Sequence, residues 1–401
     1  MNAPPWILAS ICWLFACHSP EPMMPHLDGT RISAPQLRQE ILDLVDRSQT
    51  TGLAVSIIGP DRIHFQEAFG WAHRENEDSL STQHLFNAAS FSKAVFGYLS
   101  AQMIAEGTLD PDLPLQTYFD QPIPELAFNR DWKGFGALVD DPRYEQITAR
   151  MCLNHTTGFP NWRWLTKAGD FDREGDIRFQ SDPGERYSYS GEGIQLAQYA
   201  VEKLADQPLE ALAQQRVFQP LGMKQSSYVG VSLTEGRFAY GHDQEQHSKK
   251  LDPSDEARAA GSMMTSVADM SLFCQHLLRQ YLKKDSAVHV MWTPSVRIRS
   301  KAQFGYQSWE TTDENDEIAL SYGMGWGLLQ TPYGPGAFKE GHDDGFQHYM
   351  IMFPEAKLGV ILMTNSDNGE SIFKALLEKT IGDTYTPWKW ERYIPFDQEP
   401  S

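Results

Sequence analysis

Strand-like segments near both ends of the chain, with helical segments between them, restrict the fold more than any other feature of the sequence. Short apolar runs bounded by turn residues, which are typical of β-strands, lie at residues 53–58, 63–69, 322–329, 348–353 and 358–364. Helical patterns lie at 36–47 and 90–106, and the long middle section to about residue 300 is rich in helices and in loops bounded by proline and glycine. The sequence therefore predicts an α+β fold, in which one sheet is built from both terminal parts and a helical lobe is inserted in the middle.

The composition is that of a folded, acidic protein. The 401 residues suffice for one large domain or two smaller ones, and the 41% of hydrophobic and 22% of charged residues indicate a globular chain. Lysine and arginine number 34 against 53 aspartates and glutamates, so the net charge is −19. Because nucleic-acid binding needs basic clusters that contact the phosphates, this balance argues against a nucleic-acid partner.

The N-terminal segment differs in composition from the rest of the chain. Residues 6–16 read WILASICWLFA, an apolar run of signal-peptide length that is too short to span a membrane stably, and Cys17 follows directly. A small residue before a cysteine resembles the cleavage site of bacterial lipoproteins, in which the cysteine is lipidated. We predict a signal peptide over 1–17, with Cys17 as a lipid anchor in one alternative, a linker over 18–35, and export to the periplasm or to a membrane anchor. A buried N-terminal helix, or a wrongly assigned start of the chain, is the competing interpretation.

The stretch Ser90-Phe91-Ser92-Lys93 carries the clearest chemical signal, at the start of a helical pattern. Residues three apart on a helix share one face, so the side chains of Ser90 and Lys93 can touch. A serine hydroxyl becomes a strong nucleophile when a neighbouring base takes its proton, and a lysine in a desolvated cleft can help to do so. An ordinary helix surface is the alternative interpretation of the same spacing.

Other chemistries find little support in the sequence. There is no Cys-x-x-Cys, no His-Glu-x-x-His, no Gly-x-Ser-x-Gly and no glycine-rich nucleotide motif. The histidine- and acid-containing segments 242–247 and 342–348 read as polar loops without metal-ligand spacing. Cys152 and Cys274 lie in apolar contexts that favour buried free thiols over a disulfide. We therefore predict neither a metal nor a cofactor.

Five motifs, taken in order along the chain, resemble those of the serine β-lactamase-like superfamily. They are the segments 86–93 (FNAASFSK), 147–160 (ITARMCLNHTTGFP), 183–191 (PGERYSYSG), 219–223 (QPLGM) and 341–346 (GHDDGF). The resemblance is nearest to the branch of class C β-lactamases, DD-peptidases and esterases, and it covers residues 36–382. It implies an antiparallel sheet flanked by helices, with the helical lobe inserted in the middle, and it places the hydrolase domain at 36–388, followed by a tail at 389–401.

The resemblance also implies a set of catalytic residues. Ser90 would attack a carbonyl carbon, and Lys93 and Tyr189 would pass its proton, with Tyr189 as phenolate or through Lys93 acting as the base. A tyrosine has a free pKa of about 10, so this role needs a neighbouring cation that lowers it. The oxyanion would be held by the backbone N–H groups of Ser90 and of Gly345 or its neighbour. His342 would hold a substrate carboxylate or tune Tyr189.

Two positions depart from the family pattern, and a third feature accompanies them. Gly191 stands where β-lactamases carry an asparagine that contacts the amide of the substrate, which argues against efficient β-lactam hydrolysis. Asp344 stands where a small glycine is usual, so its carboxylate would narrow the cleft and repel acidic substrates. Trp162 and Trp164 would either wall an apolar acyl pocket or serve as half-buried packing residues, with the latter slightly favoured.

The sequence thus predicts an exported serine hydrolase that forms an acyl-enzyme on Ser90 and cleaves an ester, an amide or a D-amino-acid peptide bond, closer to an esterase than to a β-lactamase. Its partner would be a small-molecule or peptide substrate. The alternative is a non-catalytic or slow-turnover relative that binds cell-wall peptide or β-lactam. The presence of Ser90, Lys93 and Tyr189 together favours catalysis.

Overall fold

The computed structural model describes residues 22–167, 170–233 and 237–398. A nine-stranded antiparallel sheet organises this part of the chain, with the strand order β5-β4-β3-β13-β12-β11-β10-β9-β8. The strands are β1 (Met23–Pro25), β2 (Arg31–Ser33), β3 (Gly52–Ile58), β4 (Ile63–His73), β5 (Asp78–Ser79), β6 (Phe86–Asn87), β7 (Met264–Thr265), β8 (Val296–Arg297), β9 (Ser321–Tyr322), β10 (Gly327–Thr331), β11 (Gly334–Asp343), β12 (Phe346–Phe353) and β13 (Leu358–Thr364).

The centre of the sheet joins the two ends of the chain. Strand β3 pairs with β13, and Ile57 lies opposite Val360 in this register. These strands are buried on both faces, which explains why they read as continuous apolar runs. The predicted α+β fold, with a sheet built from both terminal parts, is therefore confirmed.

Helices cover both faces of the sheet. They are α1 (Ala34–Ser48), α2 (Phe91–Ala105), α3 (Ala149–Leu153), α4 (Gly191–Ala205), α5 (Leu209–Ala213), α6 (Gln219–Leu221), α7 (Val267–Leu282), α8 (Ser286–Met291), α9 (Phe373–Thr380) and α10 (Trp388–Glu391). Residues of α1 and α9 belong to one hydrophobic core, while α2, α4 and α7 belong to a second core with the rest of the inserted lobe. The predicted free thiols, Cys152 and Cys274, are both buried and unpaired with each other.

The structure shows ordered contacts in both segments that flank the predicted domain. Within the predicted linker 18–35, strands β1 and β2 form a small antiparallel pair. Within the predicted tail 389–401, Trp390 is buried against the sheet core, so packing continues beyond residue 388. The predicted signal peptide and Cys17 lie outside the described residues. In the part that the structure describes, none of the helices has the length and apolar character that a membrane crossing requires.

Candidate active site

Ser90 lies at the junction between strand β6 and helix α2. Asn87 at the end of β6 accepts a hydrogen bond from the backbone N–H of Ala89 at 3.0 Å, and Ala89 has a left-handed backbone with φ of +46°. Such a conformation is strained for a residue with a Cβ and is often found at functional sites. Ser90 then caps α2, so its own backbone N–H is not used by the helix ladder and remains available to a ligand.

Lys93 follows Ser90 by one helical turn, and the two side chains meet. Lys93 Nζ lies 2.9 Å from Ser90 Oγ and donates to the carbonyl oxygen of Ala260 at 2.6 Å. The lysine side chain is buried, and this burial lowers its pKa well below 10.5. The nearby ammonium group of Lys339 lowers the pKa further. A lysine with a lowered pKa is present as the free amine at a lower pH than usual, so it can accept the Ser90 proton.

The lowered pKa of Lys93 makes a prediction about stability. Between its folded pKa and 10.5 the unfolded chain binds a proton that the folded chain does not bind, so raising the pH removes a driving force for unfolding. The measurement is the free energy of unfolding of the native protein and of Lys93→Met, obtained by urea unfolding at several pH values. We expect the difference, native minus variant, to rise between about pH 7 and about pH 10. Parallel pH curves for the two proteins would show that Lys93 titrates normally.

Tyr189 reaches the same place from the inserted lobe. It immediately precedes Ser190, whose hydroxyl caps helix α4 by accepting from the N–H of Gly193 at 2.9 Å. The ring of His155 packs against the Tyr189 ring with 4.2 Å between centroids, and His155 Nδ1 accepts from the backbone N–H of Ser190 at 3.1 Å. These contacts hold Tyr189 in one position beside the first turn of α2.

The protonation state of Tyr189 differs from the expectation of a phenolate base. Burial and the carboxylate of Glu340 raise the pKa of Tyr189 well above 10, although the hydroxyl of Ser90 opposes this shift. Lys339 Nζ donates to the Tyr189 hydroxyl oxygen at 3.0 Å, but this cation does not outweigh burial. Tyr189 is therefore a neutral phenol that can give a proton, and Lys93 is the better proton acceptor.

Lys339 and Glu340, on strand β11, are site residues that the sequence reasoning missed. Both are almost fully buried, and Lys339 Nζ donates to Glu340 Oε1 at 2.5 Å. Glu340 Oε1 also accepts from Gln303 Nε2 at 2.8 Å. The sequence does contain one sign of these site residues. Lys339 and Glu340 are a pair of charged residues directly before Gly341, in a stretch that continues into apolar strands. Lys339, three residues before His342, supplies the cation that contacts the Tyr189 hydroxyl.

The residues predicted from the third motif separate into two groups. His342 lines cavities that also contain Ser90, and its Nδ1 lies 2.7 Å from Glu370 Oε1, a contact that raises the pKa of the imidazole. Asp344 is exposed and forms an ion pair with Lys249. The backbone N–H of Gly345 is already used, because it donates to Asp367 at 2.8 Å.

The structure gives Asp344 and Gly345 contacts with Lys249 and Asp367, and their role in substrate binding stays a prediction. They form the two-residue turn between β11 and β12, and Gly345 has a φ of +79°, which favours glycine there. A Cβ at this glycine would lie 2.7 Å from Gly241 Cα, so the position is also closely packed. The sequence pattern was matched to the turn, whereas the residues that contact Tyr189 lie earlier on the strand.

Strand alternation indicates which backbone N–H faces the site. A two-residue turn makes Asp343 and Phe346 a hydrogen-bonded pair, and such pairs alternate along an antiparallel ladder. His342 therefore directs its backbone N–H away from β12, toward the opposite edge of β11. Strand β10 pairs with that edge only as far as Phe338 and does not reach His342. Because His342 and Ser90 line the same cavity, their two N–H groups form a candidate oxyanion hole, in place of the pair with Gly345.

Gly191, the predicted substrate contact of the second motif, begins helix α4 beside Asn161. Its backbone N–H donates to Asn161 Oδ1 at 3.1 Å. A Cβ at Gly191 would lie 2.6 Å from the backbone oxygen of Asn161, so a larger residue needs a shift of that loop. The side-chain amide that Gly191 lacks is thus supplied at this place by Asn161, which follows the motif segment 147–160 directly and was not predicted.

A cavity of about 390 Å³ opens beside Ser90 and Lys93 and is called here the aromatic cavity. Trp132, Trp162 and Trp164 line it, and the rings of Trp162 and Trp164 are 5.0 Å apart. Trp162 is 47% exposed, so it forms an open wall of the cavity and not a packing contact within the core. Lys133, Arg163, Glu192 and Arg258 also line the cavity, so its wall is mixed in character, with the tryptophans as its apolar part.

A second cavity of about 540 Å³ also reaches Ser90, and it is called here the acidic cavity. Tyr189 forms part of its wall, together with three carboxylates from Glu340, Glu370 and Glu391. The described residues thus offer Ser90 two cavities of different character.

Comparisons with known proteins agree with the fold and the motifs. A family model described as Beta-lactamase matches residues 37–379. Penicillin-binding protein 4 of Amycolatopsis lactamdurans is 23% identical over 348 residues, which cover 83% of this chain and 85% of that protein. Esterase EstB of Burkholderia gladioli is 27% identical over 208 residues, which cover 46% of this chain and 49% of that protein. The octameric penicillin-binding protein homologue from Pyrococcus abyssi superposes with a TM-score of 0.68 at 18% identity, covering 90% of this chain and 80% of that chain.

Proposed function

The chain belongs to the beta-lactamase family, whose members include serine hydrolases of the β-lactamase, DD-peptidase and esterase types, and from this premise we propose that it hydrolyses carboxylic esters through an acyl-enzyme on Ser90. The observation that carries the proposal is the contact of 2.9 Å between Lys93 Nζ and Ser90 Oγ, made by a buried lysine with a lowered pKa. This pairing supplies an activated nucleophile, which a protein that binds its ligand without a covalent bond does not need.

The proposed acylation uses groups that already lie in place. Ser90 Oγ bonds to the carbonyl carbon while its proton passes to the amine of Lys93, and the oxyanion is held by the N–H groups of Ser90 and His342. The bond to the leaving oxygen then breaks, and that oxygen takes the proton of the Tyr189 hydroxyl. The proton on Lys93 replaces the one that Tyr189 gave. Water completes the cycle by attacking the acyl carbon and returning a proton to Ser90.

The charge beside Lys339 supports an ester without a carboxylate as the substrate. β-Lactams and D-alanyl peptides both carry a carboxylate near the scissile bond. In this protein the cation that would receive it, Lys339, is already paired with Glu340 at 2.5 Å. A substrate carboxylate brought to this place meets a buried like charge, which disfavours binding.

The test compares kcat/KM for p-nitrophenyl butyrate and for nitrocefin. We expect the ester to be favoured by about tenfold or more, because one unfavourable buried charge contact costs about that factor. Glu340→Gln should narrow the difference, since it frees the cation of Lys339. Glu378→Gln should leave it unchanged, because this glutamate of helix α9 pairs with Lys374 and lines neither cavity. Faster turnover of nitrocefin by the native protein would reverse the proposed preference.

A slow-turnover binding protein is the alternative, and it is distinguished by the time course. A burst of p-nitrophenol equal to the enzyme concentration, followed by arrest, would favour that alternative, whereas continued release supports hydrolysis. Export, and lipidation of Cys17, remain predictions from the N-terminal sequence.

A further inference from the structure

Three tryptophans form an exposed aromatic wall beside the nucleophile. Trp132 and Trp162 are 39% and 47% exposed, and the ring of Trp164 lies 5.8 Å and 5.0 Å from their rings, measured between centroids. All three line the aromatic cavity, which also contains Ser90. The exposed ring of Phe171 extends this wall, since it lies 6.0 Å from the ring of Trp162. Large apolar side chains clustered at a surface commonly mark a binding site, and the proposed acylation gives these residues no role.

A buried ion pair holds this aromatic wall in place. Arg163 lies between two of the tryptophans in the sequence, and its guanidinium donates to both carboxylate oxygens of Glu192 at distances from 2.6 to 3.1 Å. Arg163 Nη1 also donates to the carbonyl oxygen of Gly134 at 2.8 Å, which joins this segment to the one that carries Trp132. Charge-assisted hydrogen bonds of this kind fix both segments. The tryptophans are therefore positioned before a ligand arrives, which lowers the entropy cost of binding.

The position of Tyr189 indicates which half of a substrate meets the aromatic wall. Ser90 lines both cavities, so the scissile bond lies where they meet. The hydroxyl that protonates the leaving atom must lie on the leaving-group side of that bond. Tyr189 lines the acidic cavity, whereas Lys93 lines the aromatic one. The leaving group therefore lies toward the acidic cavity, and the acyl group lies against the tryptophans.

The charges around the aromatic cavity favour an aromatic acyl group over a saturated one. Arg258 lines the cavity and forms no ion pair within the described residues, whereas Lys133 and Arg163 in the same lining are each paired with a glutamate. An aromatic ring offers its negative face to a guanidinium and its positive edge to the face of a tryptophan, contacts that a saturated ring of the same size lacks. The volume of about 390 Å³ leaves room for such a ring, since about 150 Å³ suffices for benzene.

We propose that the aromatic cavity binds an aromatic ring in the acyl half of the substrate, so that the substrate class is esters whose acyl group carries such a ring. Trp162 is the main specificity-determining residue, because it is the most exposed of the three tryptophans and so offers a ligand the most contact area. This inference rests on the proposed function, since it assigns the acyl half of that same reaction.

The experiment uses p-nitrophenyl esters that share one leaving group and differ in the acyl group. The acyl groups are 3-phenylpropanoyl, its saturated counterpart 3-cyclohexylpropanoyl, butyryl and the anionic 3-(4-carboxyphenyl)propanoyl. Each kcat/KM is divided by the rate constant for alkaline hydrolysis of the same ester, which removes differences in intrinsic reactivity. We expect the phenyl ester to exceed the cyclohexyl ester by at least about threefold and the butyrate by about tenfold or more. A cyclohexyl ester or a butyrate that reacts as well as the phenyl ester would overturn the proposal. A preference for the anionic ester would overturn it too, because it would assign the cavity to a carboxylate bound by Arg258.

Trp162→Ala removes the most exposed ring of the wall and leaves Ser90, Lys93 and Tyr189 unchanged. The ratio of kcat/KM between the phenyl ester and the butyrate should fall by at least about threefold, and this ratio does not depend on how much of the variant is folded. In the control Trp71→Ala, which removes a tryptophan of β4 that is 36% exposed and lines neither cavity, the native ratio should be kept. A native ratio in Trp162→Ala would contradict the inference. Absence of p-nitrophenyl butyrate hydrolysis by the native protein would instead contradict the proposed function.

Discussion

Ser90→Ala is expected to lower kcat/KM for p-nitrophenyl butyrate by at least about four orders of magnitude, because the attacking oxygen is removed. The remaining lysine and tyrosine cannot form an acyl-enzyme, so the burst of p-nitrophenol should vanish as well. The fold should be kept, since the Ser90 side chain does not cap helix α2. The measurement is steady-state and stopped-flow release of p-nitrophenol.

Ser188→Ala serves as the matched control for this loss. Ser188 lies next to Tyr189 and donates its backbone N–H to His155, a bond that alanine preserves. We expect activity close to that of the native protein. Activity in Ser90→Ala within about tenfold of the native value would remove Ser90 from the role of nucleophile.

Lys93→Met and Tyr189→Phe are each expected to lower kcat by about a thousandfold, the usual range for loss of a positioned acid or base. The double variant should lose little more than either single variant, because residues that act on one proton path are strongly non-additive. The comparison is a double-mutant cycle on kcat with p-nitrophenyl butyrate. Losses that multiply across the cycle would show that the two residues act independently.

The controls separate loss of chemistry from loss of fold. Lys374→Met removes a partly exposed lysine that pairs with Glu378, and Tyr333→Phe changes a tyrosine in the turn after β10, so neither should affect kcat. Thermal unfolding should show that Lys93→Met is folded, since it replaces a buried amine by an apolar chain of similar length.

The sheet was predictable where burial on both faces makes the sequence uniformly apolar, as in β12 and β13. Strand β11 was not predicted, although it forms one wall of the site. It begins with Gly334-Pro335-Gly336 and contains Lys339 and Glu340, which resemble a loop. Their burial results from pairing with β12 and from contact with each other, and neither is visible in local sequence.

The site was predictable where its geometry is local and not where it is assembled from distant segments. Ser90 and Lys93 are one helical turn apart, so their contact follows from spacing alone. Asn161 reaches the cleft because its loop packs against the start of α4, and Glu391 because Trp390 of α10 packs against Phe338 of β11. The order of the motifs could not indicate either residue, because the contacts that place them join segments far apart in the sequence.

The central claim, a covalent acyl-enzyme on Ser90, is tested most directly by mass spectrometry of protein quenched with acid during turnover of p-nitrophenyl butyrate. The account predicts one added butyryl group per chain, located by peptide mapping on the peptide that contains Ser90, and no addition in Ser90→Ala. A butyryl group on another residue would contradict it. So would turnover by the native protein when no covalent adduct is found in either the native protein or Tyr189→Phe.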